Sequence, residues 1–167
     1  MKYALIFLVA AARLLPHPGN FTPIGALGLF AGAYLHDRRV WAVPLAALLL
    51  GDVFIGFYDP VVMAFVYAGF ALSAVIGRML LRSKRTPARI GAGVLASASA
   101  FFIVSNFGCW VAGMYPHTLE GLARCYMAAI PFFGNTLSGD IFYAALLFGV
   151  AEAAAAWRLG RTAADAG

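Results

Sequence analysis

Arg13-Leu14-Leu15-Pro16-His17-Pro18-Gly19-Asn20-Phe21-Thr22-Pro23-Ile24-Gly25 separates two strongly apolar runs, and its reading decides the fold. Proline removes a backbone donor and stops a continuing helix. Within a bilayer, broken backbone survives only where protein buries it or water reaches it. If the flanking runs are membrane helices, this stretch closes one side of a protected, polar site. If they are not, it is an ordinary loop.

Composition decides between the two. The chain has 167 residues, 63% hydrophobic and 11% charged, with a mean hydropathy of +0.85. A soluble domain carries about 25% charged and roughly 45–50% apolar residues. The chain is therefore read as an all-α membrane protein, a single domain over residues 1–167. The net charge of +5 does not indicate nucleic acid, because the basic residues sit in short clusters between apolar runs. Lys2, the apolar run from Tyr3 and Ala10-Ala11-Ala12 have the outline of a signal peptide, but Pro16-His17-Pro18 directly afterwards fits an uncleaved first span better.

Outward from the opening stretch, the pattern predicts six transmembrane helices over about 2–15, 22–35, 40–57, 61–81, 90–113 and 135–157. The first is short for a bilayer crossing of about 20 residues, which keeps the Arg13–Gly25 stretch near membrane depth. Gly25, Gly28 and Gly32 give the second span a small face suited to helix packing. Thr118 caps an interfacial helix over about 118–130, which Pro131 ends or kinks. Of the 12 Lys and Arg residues, all but Arg13 and Arg124 fall on one side if both termini are cytoplasmic, the bias expected of inward-facing loops.

On that topology the polar groups gather at the outer ends of the spans. Ser105, Asn106, Cys109 and Trp110 recur at a spacing that shares one helix face; Asn135, Thr136, Ser138 and Asp140 open the last span. Carboxylates or bases at a helix centre cost about 2.5–3.5 kcal/mol to insert, so their concentration at one end points to a wet cavity open to the outside. The candidate solute-binding residues are Arg13, His17, Asn20, Asn106, Trp110, Asn135 and Asp140. Asp52 and Asp140 read either as ion-pair partners of Arg13 and Arg124, the preferred reading, or as titrating sites of a carrier. Glu152 reads as a partner of Arg158 or of the basic loop after the fourth span. His17, Cys109, His117 and Cys125 are suitable metal donors, but their spacings match no standard motif; the two cysteines also read as apolar fillers or a disulfide.

Three sets of residues together resemble one family, of small bacterial membrane proteins named for transport and uncharacterised in function. The first set is Arg13 to Leu27 with Leu29 to Tyr34. The second is Gly51-Asp52-Val53-Phe54-Ile55-Gly56-Phe57 with Val66-Tyr67. The third comprises Ser105-Asn106-Phe107-Gly108, Trp110, Tyr115-Pro116, Thr118 to Leu122, Cys125-Tyr126, Ala129 to Phe133, Asn135-Thr136-Leu137, Gly139-Asp140 and Phe142-Tyr143. In size, six spans and inward termini that family is similar to the S-components of energy-coupling factor vitamin transporters. The resemblance implies an S-component-like bundle in a bacterial cytoplasmic membrane. It also implies a vitamin or related micronutrient bound under the first loop (a cobalt corrin among the options), and an energising transmembrane subunit with ATPases. No phosphate-binding loop is present in this chain, so ATP hydrolysis would come from such a partner. A proton- or ion-coupled carrier acting alone and an assembly protein without cargo remain alternatives. No nucleophile–base pair, zinc-protease helix or paired-carboxylate motif points to an enzyme.

Overall fold

The structure is a computed structural model that describes Phe7, Ala11, Ala12 and residues 19–164. The first predicted span, Arg13 and His17 therefore lie almost wholly outside the described residues. What is described is all-helical: α1 (Ile24–Tyr34), α2 (Arg39–Ile55), α3 (Pro60–Leu81), α4 (Pro87–Val111) and α5 (Leu119–Ala164). Pro60–Leu81, Pro87–Val111 and Leu119–Arg158 are long and apolar enough to cross a membrane; α1 is apolar but shorter. Large apolar side chains face outward along these helices, Met79 at 76% exposure and Ile103 at 57% among them. Helices that are apolar all round belong in a core or a membrane, and these faces have no protein against them.

The helix starts follow from local chemistry. Asp59 accepts from the Val61 and Val62 amides at 2.8 and 3.0 Å, with Pro60 at the first helical position where its missing donor costs nothing. Thr86 caps α4 in the same way, ahead of Pro87. Thr118 accepts from the Gly121 amide at 3.0 Å, the cap expected for α5.

Helix α1 is the hub. Every residue from Ile24 to Ala33 is buried, and α1 packs on each of the other four helices. Its approach to α3 is backbone on backbone. A Cβ on Gly32 would stand 2.2 Å from Ala74 O, and one on Gly77 2.3 Å from Leu29 O, so only glycine fits at either place. The glycines of the second predicted span thus serve packing. Helix α3 is fixed to α4 by a buried Ser97–Ser73 hydroxyl pair at 2.6 Å. Gly108 of α4 also leaves room for the Phe65 ring.

The structure corrects the reading of residues 118–157. There is no separate interfacial helix over 118–130: α5 is continuous for 46 residues, with Pro131 inside it. Proline deprives one carbonyl of its donor, yet packing on α4 carries the helix through. The Phe102 ring contacts Tyr126 before the proline and Phe133 after it. Tyr126 also donates to Ile103 O at 2.7 Å. At the other end α5 reaches Glu152, which accepts from Arg85 Nε at 3.0 Å and from the Tyr34 hydroxyl. The basic loop, then, is the partner Glu152 takes.

Candidate functional site

Among the described residues α3 and α5 do not pack on each other. Helix α1 lies between them, but its 11 residues rise only about 16 Å at 1.5 Å per residue. Among the described residues no helix fills the half of the gap that α1 does not reach. That half holds two adjoining cavities of about 300 and 160 Å³ that share Asn20, Val66, Phe101 and Thr136 as walls. The larger is lined by Thr22, Tyr58, Phe70 and Asp140 as well. The smaller continues to Ser105, Asn106 and Cys109 of α4 and Phe132 and Phe133 of α5. Solute pockets are mostly apolar with a few placed polar groups, and this lining has that character.

Residues 19–22 form a strap over the cavity. Asn135 Nδ2 donates to Gly19 O at 3.0 Å. Phe21 and Thr22 lie against Gly139, where a Cβ would be 3.1 Å from the Thr22 amide nitrogen. The Phe21 ring packs on Phe142 and Tyr143. Asn20 takes a positive φ of 63°, a conformation asparagine tolerates better than most residues, and lines both cavities.

Asp140 is 2% exposed and stands at the first turn of α1. Its Oδ1 accepts from the Ala26 amide at 2.9 Å. A helix N-terminus offers unsatisfied amides and a partial positive charge, so the carboxylate caps α1 from another helix. Gly25 makes the approach possible, since a Cβ there would stand 2.3 Å from Oδ1.

The sequence-predicted residues divide. Asn20, Asn106 and Asp140 line the cavities, with Asn106 Nδ2 donating to Phe102 O at 2.8 Å. Asn135 holds the strap and does not line either cavity. Trp110 also lies off the lining: its Nε1 donates to Pro116 O at 2.9 Å and its ring meets His117 edge-on. Arg13 and His17 lie outside the described residues. The preferred ion pairing is corrected for Arg124, whose carboxylate partner is Glu120 one turn back. Asp52, buried, accepts from the Tyr67 hydroxyl at 2.8 Å.

Of the metal candidates, His17 lies outside the described residues, and Cys109 and Cys125 border one small cavity. No group of three or more His, Cys, Asp or Glu comes together among the described residues. Cys109 and Cys125 are free thiols; Cys125 donates to the Asn106 carbonyl at 3.3 Å, and His117 Nε2 is 2.9 Å from Trp110 O.

Thr136, noted among the polar groups that open the last span, lines both cavities, and Tyr58, Phe70 and Phe101 on the lining were not named as site residues in the sequence. Thr136 carries a polar signal there. The two phenylalanines carry none, since a ring in an apolar span reads equally as core or lipid-facing. A separate, more open groove of about 530 Å³ runs between α4 and α5, walled by apolar side chains and ending at Arg85 and Glu152.

Comparison with the curated proteins and with solved structures gives no match. A family model does match, over residues 1–162, nearly the whole chain, and on that extent the chain belongs to the family of unknown function DUF6580.

Proposed function

We propose that the protein is a solute-binding membrane subunit that takes up a small molecule from the outer side of a bacterial cytoplasmic membrane. The observation that carries this reading is the half-length helix. Because α1 stops midway between α3 and α5, it leaves a cavity at its N-terminus, roofed by the 19–22 strap and furnished with Asn20, Ser105, Asn106, Thr136 and Asp140. A bilayer core is about 30 Å thick, so a helix of about 16 Å ends near its midplane, a depth at which transporters hold their cargo.

The finer architecture belongs to the same proposal. Six spans with both termini inside put the strap outside and Arg78, Arg82, Lys84, Arg85 and Arg89 inside, in keeping with the bias of inward loops toward Lys and Arg. The S-component resemblance adds a vitamin-like cargo and a separate energising subunit. One observation favours a second reading. Asp140 is a buried carboxylate with no basic partner among the described residues, as a proton-coupled carrier acting alone would need.

The experiment is direct. Small molecules released from the purified protein are identified by mass spectrometry, and the compound found is offered to vesicles reconstituted with the protein. The reading predicts accumulation that falls at least tenfold in Asn106→Ala and Asp140→Ala. Uptake unchanged in both variants contradicts it. Uptake driven by a proton gradient without ATP or partners selects the carrier reading.

A further inference from the structure

Granting that the cavity is a solute site, we infer that its solute is a cation: a protonated amine or positively charged ring seated between the Asp140 carboxylate and the Phe70–Phe101 ring pair. Asp140 is the one formally charged side chain on the lining among the described residues. Its single hydrogen-bond donor among them is the Ala26 amide, which takes Oδ1. An α-helix N-terminus by itself would favour an anionic solute, but here that position is already filled by Asp140, with Gly25 lacking the Cβ that would exclude it. A second anion would meet the carboxylate at low dielectric, where like charges repel strongly. Among the described residues no basic side chain pairs with Asp140, so with a neutral solute bound the α1 N-terminus alone would balance its charge, whereas a cation would add a full counter-charge.

The rings supply an independent observation. Phe70 and Phe101 are stacked with centroids 4.3 Å apart and both border the larger cavity, with Tyr58 on the same lining. Aromatic faces attract ammonium and cationic rings, more strongly when water is excluded. A single carboxylate and several aromatic rings around one cavity favour an organic cation over a hydrated metal ion, which oxygen ligands in number would be needed to hold.

The test is isothermal titration of the full chain in detergent at neutral pH with three probes of similar size: phenethylamine, 2-phenylethanol and 3-phenylpropionate. The amine is expected to bind at least tenfold more tightly than the alcohol, and the acid most weakly. Asp140→Asn keeps an oxygen for the Ala26 amide and removes the charge. Its melting temperature is expected to stay close to that of the wild type while the amine loses its advantage over the alcohol. Equal binding of the alcohol, tighter binding of the acid, or an undiminished amine advantage in Asp140→Asn overturns the inference and leaves the solute-site reading standing. Absence of binding by all three probes also overturns it; the solute-site reading falls separately, if no compound is released from the purified protein. Should Asp140→Asn not fold, Phe101→Leu carries the test. It retains the carboxylate and is expected to weaken the amine several-fold more than the alcohol, and an equal loss for both overturns the inference.

Discussion

A Cβ on Gly25 of α1 would stand 2.3 Å from Asp140 Oδ1, while one on the exposed Gly134 of α5 would meet nothing within 4 Å. The two glycines therefore predict opposite outcomes. Gly25→Ala forces the carboxylate off the α1 amides and is expected to destabilise by about 1–3 kcal/mol, as overpacking does. Gly134→Ala is expected to be neutral or to stabilise by up to about 1 kcal/mol, the helix preference of alanine over glycine. Thermal unfolding of both variants in detergent checks the pair; equal melting temperatures would mean that Asp140 does not rest on α1. At this scale the sequence displayed Asp140 as a polar residue in an apolar span, and it displayed Asn20 and Asn106. It did not display the Ala26 amide as a partner of Asp140, because a backbone amide at a helix start carries no residue-level sign. Of the two arginines expected to pair with carboxylates in the spans, Arg124 takes Glu120 instead, and Arg13 lies outside the described residues.

Helix α5 shows how packing overrides a local stop signal. Pro131 read as an end or kink, and the chain passes through it as helix because Phe102 bridges Tyr126 and Phe133 across it. Pro131→Ala restores a donor to a helix that is already continuous. It is expected to leave the melting temperature unchanged or raise it; a marked fall would show that the proline shape is required. Phe102→Ala is expected to lower it, by about 1–3 kcal/mol in stability, since the ring that ties both sides to α4 is gone. The other described helices were legible to within a few residues: Asp59 with Pro60 and Thr86 with Pro87 mark the starts of α3 and α4, whereas α1 and α2 start without a side-chain cap and were legible from their apolar runs. The joining of two expected helices into one was not legible, because it rests on a contact between residues far apart in sequence.

For the molecule as a whole, composition and the run lengths of apolar residues were enough to read a chain that is all-helical over its described residues, with three helices long and apolar enough to cross a membrane. They were not enough to place the cavity. That follows from one helix being half the height of its neighbours and from α3 and α5 being held apart by it. The proposed orientation has its own check. In a background of Cys109→Ala and Cys125→Ala, Lys84→Cys and Met114→Cys are both at exposed positions. A membrane-impermeant maleimide applied to intact spheroplasts is expected to label Met114→Cys and to spare Lys84→Cys until the membrane is opened. Labelling of both from outside would overturn the topology.

The central claim is that the space left by α1 holds a solute, and native mass spectrometry of the gently purified protein tests it most directly, wild type against Thr136→Phe. Thr136 borders both cavities and is buried, so a phenylalanine there fills the space where they meet. The account predicts a bound small molecule on the wild-type protein that is absent from the folded Thr136→Phe variant. The same adduct on both proteins, or none on the wild type, would contradict it.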